Sequence, residues 1–361
     1  MSITTETVSK ALSTVMDDNL KTDYASAKWV RDIEIRGNDV SLTIELGYPA
    51  RSLHDVIRDR VMSALKKVDG IGNVHVDILM KILTHAVQRG VRPLPGVKNV
   101  IAVSSGKGGV GKSTVTANVA LALADQGARV GILDADIYGP SQPTLMGISE
   151  KPKSSDGQHF DPVEQYGLQL MSIGFMMDSV QPLAWRAPMV TQALMQLLQQ
   201  TRWQDLDYLL IDMPPGTGDI QMTLSQKAPL TGAVVVTTPQ DVAVLDARKG
   251  LMMFQKMDVD ILGIVENMSS YVCSHCGQIE HIFGKDGGRV MCETYGVDSL
   301  GNIPLNISVR EQTDSGRPVV VAEPDGLVGR IFRDIAYGIA AKIALKPKDM
   351  TGMFPPVTVQ P

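Results

Sequence analysis

Gly106-Lys107-Gly108-Gly109-Val110-Gly111-Lys112-Ser113-Thr114 decides how this chain is read. The apolar run Val100 to Val103 precedes it and reads as a buried strand, and Val115 to Leu123, rich in helix formers, follows it. Strand, glycine-rich turn and helix form the context of a phosphate-binding loop, and the spacing G-x-x-x-x-G-K-S is met in full. Gly106, Gly108, Gly109 and Gly111 let successive backbone N–H groups, that of Val110 among them, curl around phosphate oxygens. Lys112 is placed to reach the β- and γ-phosphates and the Ser113 hydroxyl to ligate Mg²⁺. Thr114 continues a helix start whose positive end faces the anion. Lys107 is a second lysine that an ordinary loop of this kind does not need; read by itself, it is equally well a solvated turn lysine.

Working outward, the 361 residues suffice for two domains, or for one large α/β domain with an appendage. A formal net charge of −5 gives no global footprint for nucleic acid or an anionic membrane. Neither a charged-then-apolar leader nor a run of about 18 apolar residues is present, which predicts a cytoplasmic chain without stable membrane association. Three cysteines, all after residue 272, cannot make a disulfide framework and point to metal or redox chemistry in a reducing compartment.

Residues 1–92 read as a small α+β domain in the order α-β-β-α-β. A helix is expected over Val8 to Met16 and a hairpin around Gly37-Asn38-Asp39, whose second arm alternates as Val40, Leu42, Ile44, Leu46. Leu53, Val56, Ile57, Val61 and Leu65 recur at helical spacing, and Val74, Val76 and Ile78 alternate again. Residues 93–98 form a proline-bearing linker. Across 99–345, short apolar strands (Val100–Val103, Val130–Leu133, Tyr208–Ile211, Ala233–Thr237, Ile261–Val265) alternate with helices. That pattern predicts an α/β fold with a mostly parallel, doubly wound sheet. Residues 346–361 are expected to be a flexible tail.

Carboxylates at the C-terminal ends of such strands face the ligand crevice of an open sheet. Asp134 and Asp136 follow one strand, and Asp212 ends another before Met213-Pro214-Pro215-Gly216. Asp212 reads as the Walker B residue that holds Mg²⁺ through water, and the Pro-Pro-Gly turn suits a γ-phosphate switch. Glu266-Asn267-Met268 closes a further strand, and Cys273-Ser274-His275-Cys276 follows shortly after. A C-x-x-C pair supplies half of a four-sulfur site, which two copies across a two-fold axis would complete. Spacing leaves an iron–sulfur cluster and a shared structural zinc open, and a redox disulfide is the weakest reading. Cys292 is a candidate further ligand that reads first as a packed small residue, and His275 and His281 are candidate zinc ligands that read first as solvated loop histidines.

Together these motifs resemble the Mrp/ApbC-type iron–sulfur cluster carriers, relatives of the division-site and partition ATPases in the signature-lysine P-loop class. Trp185-Arg186-Ala187-Pro188-Met189 resembles that family's sequence between the switches, and residues 1–92 resemble the cluster-assembly domain that precedes the ATPase in bacterial members. The resemblance implies a homodimer with a 4Fe–4S cluster between two Cys273/Cys276 pairs. A cluster-assembly scaffold would load it, apo iron–sulfur proteins would receive it, and ATP with Mg²⁺ would be bound and slowly hydrolysed. It further implies that Lys107 crosses to the partner's nucleotide, that Asp136 orients the attacking water with Asp134 behind it, and that Asn267 hydrogen-bonds adenine. Two other classes remain. One is a zinc-stapled, nucleotide-switched scaffold. The other is a positioning ATPase attached to membrane or nucleoid through Arg330, Arg333 and Lys342, which lie beside the apolar stripe of the last helix.

Overall fold

The computed structural model describes residues 3–176, 187–273 and 275–349. Trp185 and Arg186 of the expected inter-switch motif lie outside them.

Strand Val97–Ser105 runs through the middle of a nine-stranded sheet, between the parallel strands Leu206–Asp212 and Gly232–Thr237. Past Leu206–Asp212 come Val130–Asp134 and Leu168–Ser172, both parallel, and then antiparallel Val163–Gln165. Past Gly232–Thr237 lies Ile261–Val272, which pairs with parallel Ser299–Leu305 and with antiparallel Ile279–Glu280. Every residue of Leu206–Asp212 and of Gly232–Thr237 is buried, as continuous apolar strands covered on both faces require. One face carries Val190, Leu194 and Leu198 of helix Ala187–Gln200 with Leu224 of helix Asp219–Lys227. The other carries helix Lys112–Asp125, itself roofed by helix Leu327–Ala344. Being apolar nearly all round, Lys112–Asp125 is buried nearly all round.

The central strands expected from the sequence are all present, and each is longer than expected. Leu168–Ser172 and Ser299–Leu305 were not expected, because Gln169 in one and Gly301, Asn302 and Pro304 in the other interrupt the apolar signal. The strand expected to close at Glu266-Asn267-Met268 continues to Val272, past a register break and a positive φ of 56° at Met268. In the last helix Phe332, Ile335 and Ile339 are buried against the sheet, while Arg333 pairs with Asp125 and Lys342 with Asp298. Its stripe is core, and its basic residues are tied down at its flanks. No helix among the described residues is long and apolar enough to cross a membrane.

At the N-terminus, helix Thr5–Leu12 begins where the Thr4 hydroxyl accepts from the Thr7 N–H, and it stops short of the expected Met16. Strands Val30–Arg36 and Asp39–Leu46 form the hairpin, and Val74–Met80 adds to it in parallel. Val40, Leu42, Ile44 and Leu46 all point into the core, with helix His54–Leu65 packed beside Val74–Met80. This unit grips the far end of the phosphate-loop helix. Gln126 Oε1 accepts from the Ser52 N–H (2.9 Å) and from Tyr337 Oη (2.7 Å), and the Arg51 N–H donates to the Gln126 carbonyl. One continuous apolar core joins the unit to the sheet.

The beginning of the expected tail departs from that reading. Lys348 bridges to His85, Asp349 N–H donates to the Thr84 carbonyl, and Lys346 Nζ bonds the Thr231 carbonyl and Asp260. Residues 346–349 therefore edge the fold, held there by backbone bonds from the Asp349 N–H and to the Pro347 carbonyl.

Candidate active site

The loop 106–111 leaves the central strand and turns into helix Lys112–Asp125 with Gly109 and Gly111 at φ 81° and 83°. Those angles favour glycine, and a Cβ at Gly111 would also displace the Asn267 amide. Gly106 is fixed by a close approach instead, since its Cβ would meet the Asp246 backbone at 2.1 Å. The loop floors a cleft of about 220 Å³ that is also lined by Ser113, Asp136, Ser141 and Pro215.

Sheet register assembles the carboxylates. Asp212 stands opposite Val103 on one side and Asp134 on the other, so the two strand-end aspartates are neighbours beside the loop. Lys112 Nζ lies 2.5 Å from Asp212 Oδ1, 3.8 Å from Asp136 Oδ2 and 3.3 Å from Ser113 Oγ. Thr116 Oγ1 also donates to Asp212 Oδ1 (3.2 Å). Asp134 is fully buried and accepts from the Asp136 N–H, the Gln142 N–H and Ser172 Oγ. Burial, and then the Asp212 charge, push the Asp134 carboxyl up to about 7. Burial also raises Asp136, against the pull of the nearby Lys112 ammonium. Asp136 lines the cleft, whereas Asp134 lies behind it and props the chain that carries Asp136.

The Pro-Pro-Gly turn wraps the opposite wall. Gly216 N–H donates to the Ser105 carbonyl, and Gln221 at the start of the next helix bonds both the Pro214 carbonyl and the Gly218 N–H. Lys107 is half-buried and has no ion-pair partner among the described residues. Asn267 sits against the loop rather than apart from it. Its Nδ2 donates to the Val110 carbonyl (2.9 Å) and its Oδ1 accepts from the Met268 N–H, so both ends of the amide are engaged locally. Each end keeps one unused position, an N–H on Nδ2 and a lone pair on Oδ1, which a base could take.

Sequence reasoning missed Gln142. Its Nε2 bonds Asp212 Oδ2 (2.8 Å) and the Ser113 carbonyl (3.0 Å), inside the machinery it had been read past. The only available signal was its position just after Tyr138-Gly139-Pro140-Ser141, on the segment that leaves Asp136.

Hydroxyl and carboxylate oxygens at Ser113 and Asp212 form the hard donor set that Mg²⁺ takes, and buried Ser141 Oγ has no protein partner among the described residues. These residues fit a magnesium–nucleotide.

At the end of strand Ile261–Val272, Cys273 and Cys276 lie in a tight turn. The Gly277 N–H donates to the Cys273 carbonyl and the Cys273 N–H to the Gln278 carbonyl. The backbone N–H of Cys276, then that of His275, then the Cys276 side chain lower the Cys273 thiol and favour thiolate. His281 Nδ1 is engaged with the Ser269 carbonyl, and buried Cys292 packs among Val244, Leu251 and Met291. Among the described residues no group of three or more His, Cys, Asp or Glu side chains suits a metal ion.

A parallel sheet with a glycine loop at its switch point, a buried lysine and strand-end aspartates defines a P-loop NTPase. More narrowly, the chain belongs to the family described as NUBPL iron-transfer P-loop NTPase, which residues 96–340 match; residues 5–78 match the iron-sulfur cluster assembly protein family. An iron-sulfur cluster carrier protein of Pseudomonas fragi is 53% identical over 275 residues, covering 76% of this chain and 96% of that protein. One from Salmonella typhimurium is 44% identical over 337 residues, covering 93% and 91%. A nucleotide-binding protein from Archaeoglobus fulgidus, solved in complex with ADP, superposes with a TM-score of 0.56 at 38% identity, covering 64% of this chain and 90% of that one.

Proposed function

We propose that this chain carries a 4Fe–4S cluster between two copies of itself and hands it to apo iron–sulfur proteins in the cytoplasm. ATP binding and slow, magnesium-dependent hydrolysis would modulate the hand-over. The observation that carries this reading is the Cys273/Cys276 turn. It presents two sulfurs with amides aimed at one of them, and no further ligand accompanies them among the described residues. Two such turns supply the four thiolates a cluster needs. Cargo held half by each protomer and partly open to solvent is releasable, and a cluster-assembly scaffold is the fitting donor. The carrier proteins of Pseudomonas fragi and Salmonella typhimurium support the assignment by similarity.

At the nucleotide, the loop amides and Lys112 bind the phosphates, and Ser113 and Asp212 hold Mg²⁺, which neutralises phosphate charge when bound. Lys112 exchanges its ion pair with Asp212 for the phosphates. Asp136, on the cleft wall, orients the attacking water. Lys107 reaches across to the partner's nucleotide and adds charge there, as an arginine finger does in trans. Asn267 lies on the strand that ends at Cys273, so the phosphate loop and the cysteine turn share one element.

Anaerobic reconstitution with iron and sulfide tests the reading. About four irons and four sulfides per dimer, lost in Cys273→Ala/Cys276→Ala, are expected from the four-thiolate site. Retention of zinc with no cysteine-dependent cluster would replace the carrier with a zinc-stapled, nucleotide-switched scaffold.

A further inference from the structure

Gln142 opens the short helix Gln142–Leu145 and is 1% exposed. Both hydrogens of its amide nitrogen are used, one on Asp212 Oδ2 (2.8 Å) and one on the Ser113 carbonyl (3.0 Å). Its backbone N–H donates to Asp134 Oδ2 (3.0 Å). Turning the amide over would set its oxygen against a carboxylate and a carbonyl, so this network fixes the orientation. The oxygen, Oε1, is buried and has no protein donor among the described residues.

We propose that Gln142 is the positioning residue for the magnesium end of the nucleotide site. Asp212 Oδ1 is held by Lys112 and Thr116, and Lys112 must leave when it takes up phosphate. Gln142 holds the other oxygen and keeps the carboxylate aimed at Ser113 through that exchange. Because the same residue bonds Asp134, it also ties the segment carrying Asp136 to the metal-holding aspartate. Seating of Mg²⁺ and placement of the water-orienting carboxylate are thereby set by one side chain. The unpartnered Oε1 is an acceptor of the kind that metal-bound water, a strong donor, satisfies.

This inference rests on the magnesium–nucleotide reading of the cleft. The test measures affinity for a fluorescent ADP analogue with Mg²⁺ and with EDTA, on wild type and Gln142→Leu, with no turnover involved. A charge-assisted hydrogen bond is lost, so affinity with Mg²⁺ should fall roughly tenfold while affinity in EDTA stays within about twofold. Equal losses in both buffers, or none in either, would overturn the assignment. Should Gln142→Leu fail to fold, Gln142→Glu is judged by the same criterion, since it keeps the length and an acceptor but loses both amide donors. Wild-type protein that binds the analogue in neither buffer would instead refute the nucleotide reading itself.

Discussion

Asp134 is a carboxyl that the fold would hold more cheaply as a neutral group, and replacing it by asparagine exposes that cost. Its ordinary value of 3.8 is pushed up to about 7, first by complete burial and then by the Asp212 charge. Below pH ~4 both folded and unfolded chains hold the proton, and the group contributes nothing. Between about 4 and 7 the folded chain keeps a proton that the unfolded chain releases, so stability falls as pH rises. Above about 7 the full penalty applies, about 4 kcal/mol as an upper bound. Asp134→Asn removes that penalty. With its amide oxygen toward Gln142 and Ser172, it loses the bond from the Asp136 N–H, at a cost of about 1 kcal/mol. The substitution should therefore stabilise nucleotide-free protein by only about 1 kcal/mol at pH 5.5, where roughly half of the penalty has developed, and by about 3 kcal/mol at pH 8.5. Urea unfolding followed by tryptophan fluorescence at the two pH values reads this directly. An offset of the same sign and size at both would refute the argument that Asp134 is buried as a strained acid.

Lys112→Ala removes the ammonium that balances Asp212 and Asp136, and nucleotide binding by calorimetry should vanish. Lys107→Ala leaves the loop's own contacts intact. ADP affinity should stay within about twofold while ATP turnover drops roughly a hundredfold or more, the signature of a charge supplied in trans. Gly111→Ala forces a left-handed backbone on alanine and drives its methyl into Asn267, so a fluorescent-nucleotide titration should show affinity down by roughly tenfold or more. Tyr337→Phe loses the hydroxyl that bridges Gln126 and Ser52, and urea unfolding should register a loss of about 1–2 kcal/mol with ADP affinity unchanged.

The phosphate loop was legible because its chemistry is local: glycine positions, a lysine and a hydroxyl at fixed spacing after an apolar strand. Asp134, Asp136 and Asp212 were legible because strand ends in a parallel sheet share one edge, so reading the strands located the carboxylates. Gln142 was not, because its partners come from the loop helix and a strand some seventy residues away, and nothing in its own neighbours marks it. Asn267 was found, but not its contact with the Val110 carbonyl or the continuation of its strand to Val272, which depends on a kink that the sequence does not announce. Lys346–Asp349 read as a tail because its anchors, His85 and Thr84, belong to the other end of the chain.

The phosphate-loop helix has 14 residues and is thus about 21 Å long. Lys112 stands at one end in the cleft, and Gln126, just past the other, is clasped by Arg51, Ser52 and Tyr337. Close packing along its whole length leaves no slack. Mechanically it is a rod set in two bearings, one in the cleft and one against the N-terminal unit. The two stretches that the sequence separates by a proline-bearing linker are, in load-carrying terms, a single lever. Removing residues 1–92 would take Arg51 and Ser52 from the rod's rear end and strip Tyr48 from Tyr337 at the same stroke.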